Sequence, residues 1–248
     1  MQGQPLLIAH RGLARDYPEN TLLAFRAAQQ AGADAVEMDI QFAACGTAVV
    51  IHDPNLERTT GQQALVQEMT AVELCRQSAH EPARLGEQYH GETIPTLAGA
   101  AAALAGDTAL TVFIEIKPET LRRHALPAML KRVDEDTACL GHRRVIISLV
   151  EEVVQVFRSA THDRVGWVLP GFNSAVLDRA RTLAPEFVFC NRDYLPLGNG
   201  PLPAESWDWA IYEVASATQA MALMRRGVRW LETMAPGELR QALIPPRG

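Results

Sequence analysis

The 248-residue sequence predicts a TIM-type (β/α)₈ barrel. Its length is close to the roughly 250 residues of one such barrel, although length alone would also allow two small domains. Short apolar, β-branched runs alternate with longer helix-like stretches, which is typical of βα units around a parallel sheet. Polar residues suited to catalysis follow several of these runs, where barrel active sites lie. With no linker or internal repeat in the sequence, we expect one domain over residues 1–248.

Nine runs have the composition of β-strands. They are Leu6–Ala9, Ala35–Ile40, Ala48–Ile51, Leu110–Ile116, Val145–Ser148, Val165–Leu169, Phe187–Cys190, Trp209–Val214 and Val228–Leu231. A TIM barrel has eight strands, so one run is surplus. The second and third runs are separated by a few residues around Gly46, too few for the crossover that parallel neighbours need. We therefore predict an antiparallel hairpin that returns His52 to the level of Glu37 and Asp39.

The segments between the strands carry helix and loop signals. Asn20 is a candidate N-cap for a helix that runs through Ala31 and ends at Gly32. Residues 54–93, after the hairpin, fit the βα repeat poorly because they are long and polar. We expect them to form a small insertion that covers one side of the barrel mouth. The Pro- and Gly-rich stretch Tyr194–Pro203 predicts a long loop.

Composition and charge limit the classes of function. A net charge of -6 and the lack of a Lys/Arg cluster argue against nucleic-acid binding. No stretch approaches the roughly 20 apolar residues of a membrane span, and the N-terminus lacks secretory-signal features. A cytoplasmic protein with reduced cysteines is the simplest expectation. The sequence leaves the oligomeric state open, a homo-oligomer included.

Charged residues at the strand ends suggest a metal site. Glu37 and Asp39 are two apart on one strand, and Glu115 and Lys117 repeat this spacing on another, so each pair shares a face. Three carboxylates that meet in the barrel interior would repel one another unless a cation is present. Their oxygen atoms suit Mg²⁺, Ca²⁺ or Mn²⁺ better than zinc. The alternative is a structural salt-bridge network with Lys117 and Arg11.

Two histidines follow apolar runs and should therefore lie at the mouth. A single histidine there more often caps a helix or forms a structural hydrogen bond. His10 and His52, on either side of a carboxylate cluster, instead suggest a general acid and a general base. Arg11 and Lys117 add positive charge for an anionic transition state, as phosphoryl transfer requires.

These motifs together resemble the glycerophosphodiester phosphodiesterase family, within the phospholipase-C-like phosphodiesterases. The segments that carry the resemblance, in order, are His10-Arg11-Gly12, Pro18-Glu19-Asn20-Thr21, Glu37-Met38-Asp39, His52-Asp53, Arg58-Thr59-Thr60, Ile94-Pro95-Thr96-Leu97 and Glu115-Ile116-Lys117. Each segment alone is a weak signal, but seven in this order are specific. The resemblance is strong through Lys117 and thinner beyond it.

The resemblance implies a fold, a reaction and a set of site residues. It implies a TIM barrel with a small insertion, and hydrolysis of glycerophosphodiesters to sn-glycerol 3-phosphate and an alcohol with one divalent ion, Mg²⁺ or Ca²⁺, or alternatively Mn²⁺. The implied acid–base pair is His10 and His52. The implied metal ligands are Glu37, Asp39 and Glu115. The implied phosphate contacts are Arg11 and Lys117.

The C-terminal part departs from the family pattern. Tyr212-Glu213-Val214 stands where these enzymes often have Trp-Thr-Val. Tyr212 keeps an aromatic surface that would either line a glycerol pocket or pack against its neighbours. Met234 replaces the more usual acidic or amide residue after threonine, which affects the expected recognition of the leaving group. Two other functions stay open: a lysophospholipase D- or sphingomyelinase-D-like activity on lipids, and a non-catalytic barrel that binds phosphorylated metabolites.

Overall fold

Nine strands contain or overlap the nine predicted runs. The structure, a computed structural model, describes residues 4–161 and 163–244. Within these residues the strands are β1 (Leu6–Ala9), β2 (Ala35–Phe42), β3 (Ala48–Val50), β4 (Thr111–Ile116), β5 (Arg144–Ser148), β6 (Arg164–Val168), β7 (Phe187–Asn191), β8 (Asp208–Tyr212) and β9 (Trp230–Thr233). Most bounds differ from the predicted runs by one or two residues.

Eight of these strands close into a parallel barrel. Each pairs with its neighbour in the order β1, β2, β4, β5, β6, β7, β8, β9, and β1 pairs with both β2 and β9. The predicted TIM-type barrel is therefore confirmed. The remaining strand, β3, runs antiparallel to β2 and pairs Val50 with Ile40, as expected for a hairpin outside the barrel.

Helices connect the strands. They are α1 (Leu22–Gln30), α2 (Glu57–Thr60), α3 (Ala71–Leu74), α4 (Pro82–Leu85), α5 (Leu97–Leu104), α6 (Leu126–Thr137), α7 (Glu151–Thr161), α8 (Ser174–Leu183), α9 (Ala217–Arg225) and α10 (Pro236–Leu243). Short 3₁₀ segments lie at Val66–Glu68, Pro118–Arg122, Ala138–Arg143 and Arg192–Tyr194. No helix in the described ranges is long and apolar enough to span a membrane.

The N-cap of the first helix lies one residue later than the sequence predicted. Thr21, not Asn20, is the N-cap, and its hydroxyl accepts a hydrogen bond from the backbone N–H of Ala24 at 3.2 Å. Asn20 has a left-handed backbone with φ +58°, whereas an N-cap residue is extended. Its side chain instead binds Asp39. The asparagine therefore serves the barrel mouth.

Apolar side chains fill the barrel below its mouth. Phe113 of β4 contacts the edges or faces of Phe187, Phe189 and Trp230 at centroid distances of 5.1, 5.1 and 5.6 Å. Such tilted contacts are the preferred packing of aromatic rings. Side chains alternate along a strand, so Glu115 points into the same interior two residues nearer the mouth. The aromatic cluster therefore packs directly below the polar residues of the mouth and closes the barrel interior beneath them.

Candidate active site

Carboxylates from two neighbouring strands meet at the mouth of the barrel. Glu37 and Asp39 project from β2, and Glu115 projects from β4 directly beside Asp39 in the sheet register. One side-chain oxygen from each residue lies within 4.8 Å of the others. Three carboxylates at this spacing could hold a divalent cation.

Glu37 has the environment of a metal ligand. Burial, followed by the nearby negative charge of Asp39, raises the pKa of Glu37 well above its usual value. Its Oε2 accepts a hydrogen bond from the backbone N–H of Arg11 at 3.0 Å, whereas Oε1 has no hydrogen-bond partner among the described residues. A buried carboxylate oxygen without a donor is costly unless a cation compensates its charge. The residues present therefore fit a bound metal.

Asp39 is buried beside the other carboxylates and is only 1% exposed. The amide of Asn20 donates to its Oδ2 at 2.9 Å. Lys117 Nζ and Arg11 Nε approach its carboxylate at 3.3 and 3.1 Å. Burial alone would raise the pKa of Asp39, but these two cations hold it well below its usual value. Asp39 is therefore ionised at neutral pH.

Two cationic side chains face the site. Besides their contacts with Asp39, Lys117 Nζ donates to Glu115 Oε1 at 2.9 Å and Arg11 Nη1 donates to Glu19 Oε1 at 3.0 Å. Burial disfavours both charges, but the surrounding carboxylates raise the pKa of each above its usual value. Both residues remain charged, so positive charge is fixed beside the carboxylate cluster.

The turn after β1 brings Arg11 to the mouth. Arg11 and Gly12 both have left-handed backbones, with φ of +55° and +82°. A Cβ atom on Gly12 would lie 2.7 Å from the carbonyl carbon of Ala24, so a larger side chain does not fit. Glycine tolerates this conformation at no steric cost. The tight turn explains why glycine follows Arg11 in the sequence.

The two histidines differ in their surroundings. His10 follows β1, and burial together with the positive charge of Arg11 lowers its pKa to about 3. The ring of His52 lies at the end of the hairpin, with Nδ1 2.7 Å from Asp53 Oδ1. Arg58 Nε in turn donates to Asp53 Oδ2 at 2.7 Å. Asp53 and Arg58 therefore fix the orientation of the His52 ring.

One cavity of about 140 Å³ brings seven of the eight predicted site residues together. They are His10, Arg11, Glu37, His52, Glu115, Lys117 and Tyr212. The eighth, Asp39, is covered by its contacts with Asn20 and the two cations. Tyr212 ends β8 on the far side of the cavity, and its half-buried ring forms part of the wall.

Sequence reasoning missed Glu232 of β9. It is 3% exposed, and one of its oxygens lies within 4.8 Å of a Glu37 oxygen and a His10 ring nitrogen. Its Oε1 has no hydrogen-bond partner within the described ranges. The one signal in the sequence was spacing, because Glu232 lies two residues after Trp230, which the structure places in the barrel interior. In the sheet, Glu232 lies level with Ile8 of β1. Glu232 is a fourth carboxylate in the cavity.

Replacing Glu232 by glutamine is expected to raise the Tm of the metal-free protein by roughly 2–8 °C at pH 8. Burial, then the charges of Glu115 and Asp39, raise the pKa of Glu232 well above its usual value. A carboxyl whose pKa is raised by folding costs stability as pH rises from its unfolded pKa towards its folded pKa. The gain should therefore be larger at pH 8 than at pH 5.

Thermal unfolding in the presence of chelator measures this effect. Glu57→Gln, which neutralises an exposed carboxylate on α2, is the matched control and should leave Tm nearly unchanged. A lower Tm for Glu232→Gln at pH 8 would show that the Glu232 charge is stabilised within the protein itself.

Comparisons of sequence identify related proteins. A sequence model of the glycerophosphoryl diester phosphodiesterase family matches residues 10–229. The chain is 43% identical to the glycerophosphodiester phosphodiesterase of Caldanaerobacter subterraneus subsp. tengcongensis over 112 residues, and this match covers 45% of each protein. It is 33% identical to glycerophosphodiester phosphodiesterase 1 of Homo sapiens over 156 residues, and this match covers 63% of this chain and 46% of the human protein. The matched segments thus span less than half the length of these relatives.

Solved structures share the fold. An Oleispira antarctica phosphodiesterase in complex with the product sn-glycerol-3-phosphate matches with a TM-score of 0.81 at 22% identity, over 97% of both chains. A glycerophosphodiester phosphodiesterase from Agrobacterium tumefaciens strain C58 matches with a TM-score of 0.73 at 21% identity, over 97% of this chain and 100% of the other. At these identities the likeness establishes the barrel architecture.

Proposed function

This chain belongs to the glycerophosphoryl diester phosphodiesterase family, and we propose that it hydrolyses glycerophosphodiesters to sn-glycerol 3-phosphate and an alcohol. One observation carries the proposal: a single cavity holds two histidines, a carboxylate cluster and two cationic side chains. Cleavage of a phosphodiester needs groups that take and give protons and positive charge that stabilises the phosphate oxygens. The cavity offers both.

We assign Glu37, Asp39 and Glu115 as the ligands of one divalent ion. Their oxygen atoms suit Mg²⁺ or Ca²⁺, and Mn²⁺ is also compatible with this donor set. Two features support the assignment: Glu37 Oε1 lacks a donor among the described residues, and the carboxylates of the cavity outnumber its two cationic side chains. When bound, such an ion supplies positive charge beside the phosphate oxygens and polarises them.

We assign His10 and His52 as the acid–base pair. Hydrolysis breaks the bond between phosphorus and the alcohol oxygen, so one proton leaves the attacking oxygen and one reaches the departing oxygen. The two rings line the same cavity and divide these transfers between them. Since Nδ1 of His52 is hydrogen-bonded to the Asp53 carboxylate, Nε2 is the nitrogen that exchanges a proton with the substrate.

Arg11, Lys117 and Tyr212 are assigned to substrate binding. Arg11 and Lys117 each contact carboxylates on one side and line the cavity on the other. Their positive charges therefore favour a phosphate anion despite the acidic residues around it. Tyr212 contributes an aromatic face on which the carbon atoms of glycerol can pack. Its hydroxyl is protonated at neutral pH, as in any tyrosine, and burial raises its pKa further.

Product analysis of the purified protein tests the function. We expect glycerophosphocholine, glycerophosphoethanolamine and glycerophosphoglycerol to yield sn-glycerol 3-phosphate in the presence of a divalent metal. A lysophospholipid, assayed in parallel, should be a poor substrate. Faster cleavage of the lysophospholipid would identify a lysophospholipase D-like enzyme instead. Binding of glycerol 3-phosphate without turnover of any diester would indicate a non-catalytic barrel.

A further inference from the structure

A second cavity of about 310 Å³ adjoins the catalytic cavity. It lies between the loop after β8, the loop after β9 and helix α10. His10 and Glu213 line both cavities, so the two spaces meet at these side chains. The catalytic cavity, at about 140 Å³, is smaller than the roughly 300–1,000 Å³ of usual small-molecule sites. A diester with a second alcohol needs additional space, and the adjoining cavity provides it.

The walls of the second cavity are mainly apolar. They include Val214, Ala215, Ala217, Met234, Leu239 and Ala242. These side chains are small or flexible and offer no strong hydrogen-bonding group. They suit the methylene or methyl groups of a ligand better than a polyhydroxylated one.

The charges in this cavity do not favour an anion. Arg15 is the one arginine or lysine that lines it, and its guanidinium is paired with Glu238 inside the cavity and with Asp16 at 2.8 Å. Glu213 is exposed and has no ion-pair partner within residues 4–161 and 163–244. Of the two acidic residues that line the cavity, Glu238 is paired with Arg15, whereas the negative charge of Glu213 has no paired cation among the described residues.

The backbone holds Glu213 at the junction of the two cavities. Its φ of +66° is left-handed, a conformation that non-glycine residues rarely adopt. Arg11 and Asn20, both at the barrel mouth, share this conformation. Glu213 also lines the catalytic cavity, together with Glu232. A ligand that occupies both cavities would therefore pass Glu213.

We infer that the second cavity binds the departing alcohol of the diester and that Glu213 selects a small alcohol carrying a cationic nitrogen. This inference rests on the proposed phosphodiesterase function. An ammonium group at the junction would meet the Glu213 carboxylate, while its carbon atoms pack on the apolar walls. An anionic alcohol would meet repulsion from Glu213 and from the carboxylates behind it.

The ratio of two specificity constants tests the inference. For the wild-type protein, kcat/KM for glycerophosphoethanolamine should exceed that for the uncharged-headgroup analogue glycerophosphoglycerol. In Glu213→Gln this ratio should fall by about threefold to tenfold at low ionic strength, the range for losing a charged contact in a partly exposed site. High salt should reduce the wild-type ratio in the same direction. Inhibition by tetramethylammonium, a minimal cation, should also weaken in the variant.

Glu135→Gln is the matched control, because it removes an exposed carboxylate from α6, outside both cavities, and should leave the ratio unchanged. An equal loss for both substrates in Glu213→Gln, or an unchanged ratio, would overturn the inference and leave the phosphodiesterase function intact. The absence of turnover of every diester by the wild-type protein would overturn the proposed function and the inference together.

Discussion

His52→Ala and His10→Ala are each expected to lower kcat by about two to four orders of magnitude, the contribution of a positioned general acid or base. Both rings line the catalytic cavity, and no other histidine does so within the described residues. The hydrogen bond from His52 to Asp53 holds one ring in place. Because both transfers accompany cleavage of one phosphodiester bond, each loss should be large by itself.

Steady-state kinetics with glycerophosphocholine measures this loss. His142→Ala, which removes an exposed histidine just before β5, is the matched control and should retain wild-type kcat. Added imidazole should restore part of the activity of His52→Ala, since the missing group is replaced in solution. Near-normal kcat in either cavity variant, with an unchanged Tm, would remove that histidine from the proposed acid–base pair.

Glu37→Gln should weaken the binding of Mg²⁺ or Mn²⁺ by at least about a hundredfold. Loss of an outer hydrogen-bond partner of a metal ligand already costs about 10- to 100-fold in affinity or activity, and loss of a ligand should cost more. Glu37 is central because its oxygens lie close to those of Asp39, Glu115 and Glu232. Turnover at limiting metal concentration should fall in parallel.

Isothermal titration calorimetry of metal into chelator-treated protein measures the affinity directly. Glu57→Gln, at an exposed acidic residue of α2, should bind the metal like the wild type. Equal metal affinity in Glu37→Gln and the wild type would place the ion elsewhere and contradict the assigned ligands.

The barrel was predictable because its strands are buried on both faces. Such strands form short continuous apolar runs, and each of the nine runs proved to contain or overlap a strand. The short link around Gly46 was sufficient to identify the hairpin. The end of β9 was misjudged because Glu232 and Thr233 are polar, yet both belong to the strand. Apolar patterning thus fails where a strand enters the active site.

The clustering of the candidate site residues was predictable where those residues lie close together in the sequence. Neighbouring residues such as Glu37 and Asp39 reveal their shared face by spacing alone. Contacts between distant segments gave no such signal: Arg58 binds Glu19 across 39 positions, and Asn20 binds Asp39. Glu232 could be placed in the site only from the closed barrel, because β9 and β1 are far apart in the sequence and become neighbours when the barrel closes. The role of Asn20 was therefore mistaken for that of a helix cap.

The most direct test of the account is the metal dependence of turnover. Purified protein, stripped with chelator and desalted, is assayed with glycerophosphoethanolamine before and after addition of Mg²⁺, Ca²⁺ or Mn²⁺, with sn-glycerol 3-phosphate as the detected product. We expect no product from the stripped protein and recovery of activity with at least one of these ions. Full activity in thoroughly metal-stripped protein would contradict a metal-dependent phosphodiesterase at the barrel mouth.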